Sequence, residues 1–230
     1  MTQPLIVFDM DGVLVDVTES YRESIVQTVK HFTGKQISRE TIQDLKNQGG
    51  WNDDWKLSHH LITRAGHEVE FETVRDHFQK IFLGDGTNGM ILREEWVAQP
   101  GAFEALAARY KFAVFTGRPK SDAQITLDRF AAGLVFDPVI GMYEVENHKP
   151  HPEGLLRIVA DNPGRKVYYV GDTVDDARCA RAAKVPFIGI AAPSNSRYID
   201  LVFLFQDENA MAIIDNINYL AEVLEEDANR

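Results

Sequence analysis

The chain has 230 residues, 44% hydrophobic and 26% charged, enough for one sizeable core or for one core plus an insert. Its 35 Asp and Glu outnumber its 24 Lys and Arg, giving a formal net charge of −11 and no electrostatic footprint for nucleic acid or an anionic membrane. The single cysteine, Cys179, excludes an intrachain disulfide, and no apolar run approaches the ~20 residues of a membrane helix, so a soluble, cytoplasmic protein is expected.

Leu5–Phe8 is a run of four apolar residues, the pattern of a strand buried on both faces. It leads into Asp9, with Asp11 two positions on and Gly12 to turn the chain. Side chains repeat with period two at a strand end, so both carboxylates lean into one crevice. Such neighbours repel unless a cation or a shared proton lies between them, which points to a metal site or to a paired nucleophile and acid. Asp16 with Glu19 reads as a capping box for a helix with Val17, Tyr21, Ile25, Val29 and Phe32 on one stripe. A second helix is expected over Asp53–Ala65, ended by Gly66, and a third is marked by Phe71, Val74, Phe78 and Ile81. This all-helical block, residues 17–95, reads as an insert in a core made of residues 1–16 and 96–230.

From Gly101 onwards, helix and strand signals alternate. Helices are expected over Gly101–Tyr110, Ser121–Ala131, Pro152–Ala160 and Asp175–Ala183, and strands over Phe112–Phe115, Val135–Ile140, Val167–Val170 and Phe187–Ile190. Leu201–Phe205 reads as a short edge strand and Asn209–Glu226 as a closing helix. The fold class is therefore α/β: a Rossmann-like parallel sheet flanked by helices, carrying an inserted all-helical cap.

Four positions stand at or just after strand ends, where ligands bind in an open parallel sheet. They are Asp9 with Asp11, then Thr116-Gly117-Arg118, then Lys149, then Gly171-Asp172 with Asp175 and Asp176. Their chemistry is complementary. Asp9 can attack phosphorus, and Asp11 can supply and withdraw a proton. Thr116 and its neighbouring amides suit phosphoryl oxygens, Lys149 offers a positive charge, and Asp9 with Asp172 would hold a hard cation such as Mg²⁺. Arg118 suits a substrate contact or a surface ion pair. His148 and His151 read as solvated loop residues, His59 and His60 as surface residues, and Cys179 as a packed small side chain.

In order and spacing these motifs resemble the haloacid dehalogenase superfamily, in its phosphatase branch with an inserted helical cap. The resemblance implies Asp9 as nucleophile, Asp11 as general acid/base, and Thr116 and Lys149 as catalytic and substrate-binding residues; Gly117 and Arg118, next to the motif threonine, are candidate substrate contacts from their position, and an arginine there is unusual for the family. It implies Mg²⁺ held by Asp9, the main-chain carbonyl of Asp11 and Asp172, with Asp176 acting on it less directly. In capped relatives a cap loop reads the leaving group. That places Gly50, Trp51 and Asn52 against substrate; the other reading is a turn in which Asn52 or Asp53 caps the next helix and Trp51 packs. Asp11 argues against the dehalogenases, which lack this second aspartate, and against the transport ATPases, which carry threonine there. The expected activity is hydrolysis of a small phosphorylated metabolite. A sugar phosphomutase is the enzymatic alternative, and a non-catalytic phosphometabolite-binding regulator is the alternative from another class.

Overall fold

The structure is a computed structural model that describes residues 2–229. The chain opens with β1 (Leu5–Phe8) and a short β2 (Val15–Asp16), followed by four helices: α1 (Tyr21–Thr33), α2 (Arg39–Gln48), α3 (Asp54–Arg64) and α4 (Phe71–Leu83). After β3 (Glu95–Trp96), which pairs with β2, come α5 (Ala102–Ala107), β4 (Lys111–Phe115), α6 (Lys120–Phe130) and β5 (Phe136–Ile140). The remainder is α7 (Glu153–Asp161), β6 (Val167–Gly171), α8 (Val174–Ala183), β7 (Phe187–Ile190), α9 (Tyr198–Asp207), β8 (Ala212–Ile214) and α10 (Leu220–Ala228). The chain divides into two compact units, Met1–Val15 with Trp96–Arg230, and Asp16–Glu95.

The first unit is built on a six-stranded parallel sheet in the order β5-β4-β1-β6-β7-β8. β1 is central: Phe8 is in register with Val114 on one side and Val170 on the other. The chain builds outward from β1 in one direction, then returns and builds in the other. Strand order therefore reverses at β1, and the carboxyl ends of β1, β4 and β6 open a crevice there. Period-two alternation sorts the side chains. Leu5, Val7, Phe115 and Tyr169 face a core closed by Leu155 and Ile158 of α7, Ala177 and Ala180 of α8, and Leu201 and Phe205 of α9. Phe8 and Phe112 face the other way, with ring centroids 5.4 and 5.5 Å from that of Phe103 on α5. Each such buried ring contributes about 1.5–3 kcal/mol through the apolar surface it removes from water. Asp9 continues the parity of Leu5 and Val7, which aims its carboxylate toward the side covered by α7 and α8.

The second unit is helical. Tyr21 of α1 lies against Phe82 and Phe78 of α4, at ring-centroid distances of 4.0 and 5.6 Å, with Ile25, Leu57 and Val74 buried around them.

Several sequence expectations change. α1 begins at Tyr21 after Ser20, so the stripe loses Val17, and Asp16 accepts a hydrogen bond from Thr18 N (2.8 Å) in place of the expected capping box. α2 was not among the three expected helices; it starts where the hydroxyl of Ser38 accepts from Thr41 N. Leu201–Phe205 is part of helix α9, with Leu201 and Phe205 buried four residues apart on one face. The edge strand is instead β8, and it occupies part of the span expected to be the closing helix, which begins only at Leu220.

Candidate active site

Asp9 leaves β1 with its amide donating to Val170 O at 2.8 Å, and its side chain is 5% exposed. Lys149 sits between two carboxylates: its Nζ donates to Asp9 Oδ1 at 2.8 Å and to Asp176 Oδ1 at 2.7 Å. It also donates to Tyr169 Oη at 3.1 Å, and the Phe115 and Tyr169 rings line its head group. Asp176 is held on both oxygens. Tyr169 Oη donates to Oδ1 at 2.7 Å, and the Thr173 amide and hydroxyl donate to Oδ2 at 3.1 and 2.6 Å. The same Thr173 hydroxyl accepts from Asp176 N, a reciprocal cap that starts α8.

This buried set carries one positive and two negative charges. Burial works against each charge, and the outcome is set by position. Lys149 is held firmly protonated because Asp176 and Asp9 outweigh the burial penalty on its ammonium. Asp176 falls below the ordinary carboxylate range, since the Lys149 charge and bonds from Lys149, Thr173 and Tyr169 outweigh its burial. Asp9 is left with the deficit: burial, with Asp176 and Asp11 nearby, pushes it up to about 7 despite Lys149.

Oxygen atoms of Asp9, Asp172 and Asp176 all lie within 4.8 Å of one another. A set of hard carboxylate oxygens with surplus negative charge fits a hard divalent cation. The backbone packs closely on two of these carboxylates. Gly12 has φ +73°, and a Cβ there would come within 2.1 Å of Asp172 Oδ2; a Cβ on Gly171 would come within 2.4 Å of Asp176 Cβ. Both close approaches demand glycine.

Thr116 is buried at the end of β4; its amide donates to Ile140 O and its hydroxyl accepts from Arg118 N at 3.2 Å. The Thr116 and Arg118 amides are thus committed within the protein. Arg118 is buried and ion-paired with Asp11, so it is not a surface salt bridge. Gly117 lies between them, half-buried. In the helical unit, Gly50 has φ +81°, the Trp51 ring lies 4.4 Å from that of His60, and Asn52 is half-buried. Asp53 caps α3, accepting from Trp55 N and Lys56 N. Cys179 is buried, and burial pushes its thiol up to about 12, in keeping with a packed, inert side chain.

The sequence profile of the family described as "Haloacid dehalogenase-like hydrolase" matches residues 6–190. The chain belongs to that family. Among relatives of this haloacid dehalogenase-like hydrolase, an imidazoleglycerol-phosphate dehydratase from Phytophthora nicotianae is 33% identical over 198 residues, 82% of this chain. The chain spans only 43% of that relative's length. A phosphoglycolate phosphatase from Pseudomonas fluorescens is 25% identical over 224 residues, covering 94% of this chain and 78% of its own. Among solved structures, a conserved haloacid dehalogenase-like protein of unknown function from Agrobacterium tumefaciens superposes with a TM-score of 0.73 at 20% identity, covering 99% of this chain and all of that one. Several further relatives carry phosphatase names, and no helix among this chain's described residues is long and apolar enough to cross a membrane.

Tyr169 is the site residue that the sequence did not disclose, because an aromatic in a buried strand reads as core. Its hydroxyl joins Lys149 to Asp176, and burial with the neighbouring carboxylates raises it well above the ordinary tyrosine range, so it stays a donor. Tyr169→Phe removes one buried donor from Asp176 and one acceptor from Lys149. It is expected to cost about 1–3 kcal/mol in chemical denaturation and to lower kcat by roughly threefold to tenfold. Native kcat in a destabilised variant would show that the hydroxyl serves the fold alone.

Proposed function

We propose that this hydrolase is a Mg²⁺-dependent phosphatase that cleaves a small organic phosphomonoester through a phosphorylated Asp9. The observation that carries the reading is the buried Asp9–Lys149–Asp176 array, with Asp172 within reach of the same point, at the carboxyl ends of β1 and β6. The side chains of Asp9 and Asp172 and the main-chain carbonyl of Asp11 would hold the cation, with Asp176 acting through Lys149, Tyr169 and Thr173. When bound, Mg²⁺ supplies positive charge that offsets the surplus carboxylate and lets an anionic phosphate approach.

The chain's own residues then do the chemistry. An oxygen of Asp9 attacks phosphorus, and the bond from phosphorus to the ester oxygen breaks. The departing oxygen takes the proton from the Asp11 carboxyl and leaves as an alcohol. Water next attacks the phosphorus of phospho-Asp9 and gives its proton to the Asp11 carboxylate. Inorganic phosphate leaves, and both aspartates return to their starting states. Lys149 stabilises negative charge on the transferring group, Thr116 offers its hydroxyl to a phosphoryl oxygen, and Gly117 leaves room beside it. Gly50, Trp51 and Asn52 are the residues assigned to leaving-group selection, on the family resemblance alone.

The test is a phosphate-release screen over metabolite phosphomonoesters, including phosphoglycolate and imidazoleglycerol phosphate, the compounds named in two relatives. Steady release is expected with Mg²⁺ and none with EDTA. Isomerised phosphate esters with little free phosphate would establish a mutase. Silence across the whole panel with Mg²⁺ would overturn the enzymatic reading.

A further inference from the structure

Arg118 is an uncommon object in a protein interior: its side chain is 1% exposed, while Asp11, its ion partner, is 28% exposed at the mouth of the crevice. The guanidinium is fixed from behind. Its Nη1 donates to Thr126 Oγ1 on α6 at 3.0 Å. Its main chain is fixed too, since the amide donates to Thr116 Oγ1 and the carbonyl accepts from Met142 N at 2.9 Å. A Cβ on Gly141 would come within 2.6 Å of that carbonyl, so the loop after β5 packs directly on Arg118. From this anchored position, Nε donates to Asp11 Oδ1 at 2.7 Å and Nη2 donates to the same oxygen. Among the described residues, neither bond reaches Oδ2.

We propose that Arg118 is a positioning residue that fixes which oxygen of Asp11 exchanges the proton. This inference rests on the reading of Asp11 as general acid/base. A carboxyl group whose Oδ1 accepts two bonds from a guanidinium keeps that oxygen as its carbonyl end. The proton is then confined to Oδ2, the atom left to face the ester oxygen and later the water. In the first step, the Oδ2–H bond breaks as the proton passes to the departing ester oxygen. In the second, a water O–H bond breaks and Oδ2–H forms again. Arg118 gives up no proton in either step, and its two bonds to Oδ1 persist through both. The fork does what a lone cation cannot: its two donors, fixed relative to each other, converge on one oxygen of the carboxyl group and single it out from the other. Arg118 therefore acts through Asp11, and substrate contact is not its task.

The experiment is a mutant cycle read with two probes, phosphoglycolate and p-nitrophenyl phosphate, both with saturating Mg²⁺. The first releases an alkoxide that needs a proton; the second releases a phenolate that leaves readily without one. Arg118→Met is expected to lower kcat on phosphoglycolate by about 10–100-fold, with KM moved less than about threefold, and to lower kcat on p-nitrophenyl phosphate by only a few fold. Arg118→Lys is expected to behave like Arg118→Met, since an ammonium cannot form the fork. In an Asp11→Asn background, Arg118→Met is expected to add less than about a twofold further loss. A raised KM with native kcat, equal losses on both probes, a fully multiplicative loss in the double variant, or full rescue by lysine would each overturn the proposal. Native kcat in Asp11→Asn alone would instead overturn the acid/base reading on which it stands. Should Arg118→Met fail to fold by circular dichroism, Arg118→Lys and Arg118→Gln carry the same readouts.

Discussion

Asp9→Asn is expected to abolish phosphate release, with a loss of at least about 10³-fold on any substrate the wild-type enzyme turns over. The substitution is nearly isosteric, so the site keeps its shape, and the bond from Lys149 to Asp176 at 2.7 Å remains. On the proposed mechanism, what disappears is the attacking oxygen and one of the three clustered carboxylates that would hold the cation. The fold should not suffer with the chemistry. In the metal-free chain, Asp9 is pushed up to about 7, first by burial, against an ordinary value of 3.8. The sign follows from linkage. The folded chain binds a proton that the unfolded chain has already released, so ionising Asp9 works against folding as pH rises from about 4 through about 7. Asparagine has no such charge to bury. Melting of metal-free protein should therefore place Asp9→Asn progressively higher relative to wild type between pH 5 and pH 8, and Mg²⁺ should narrow that gap by stabilising wild type alone. A substituted protein that hydrolyses at the native rate would remove Asp9 from the mechanism, and a gap that shrinks with pH would contradict the assigned ionisation.

How much of this was visible in the chain depends on whether the signal was local. The strand Leu5–Phe8 and the alternation after Gly101 are local patterns, and they specify the parallel sheet and its crevice. Motif positions 9, 172 and 176 meet because they stand at or soon after the ends of the adjacent strands β1 and β6, and Lys149 reaches them from the loop between β5 and α7. Other features lack a local signal. Tyr198–Asp207 is apolar almost all round, so no period separated helix from strand; burial of Leu201 and Phe205 decided it. α2 is strongly polar, with only Ile42, Gln43 and Leu45 buried, and offered too thin a stripe to read. Arg118 and Tyr169 are ambiguous by residue type: an arginine in a loop reads as solvated, and a tyrosine in a strand reads as packing. Their roles depend on partners 107 and 20 residues away, which no periodicity announces.

Lys149→Met is expected to damage stability and activity together, and the two effects can be separated. The ammonium lies between two buried carboxylates, and replacing it with a neutral side chain leaves both uncompensated. Losing one partner of a buried ion pair costs about 3–5 kcal/mol, which for a chain of this size lowers the melting midpoint by roughly 6–20 °C. The pH dependence is distinctive. With the cation gone, both folded-state carboxyl values rise above their unfolded ones, so the deficit should shrink as pH falls and the carboxylates take up protons. Mg²⁺ should recover part of the loss at neutral pH, because it brings positive charge to the same oxygens. The rate should not follow. Phosphoryl transfer would still lack a fixed charge against the transferring group, and a loss of about 10²–10³-fold in kcat is expected even where Mg²⁺ or lower pH has restored the fold. Lys149→Arg should not rescue it. The head group lies 5.4 Å from the Phe115 ring centroid and 5.9 Å from that of Tyr169, and the broader planar guanidinium cannot take the place of a compact ammonium there. A Lys149→Met protein with a native melting point would mean that Asp9 and Asp176 find their compensation elsewhere. One with native kcat at restored stability would confine Lys149 to a structural role.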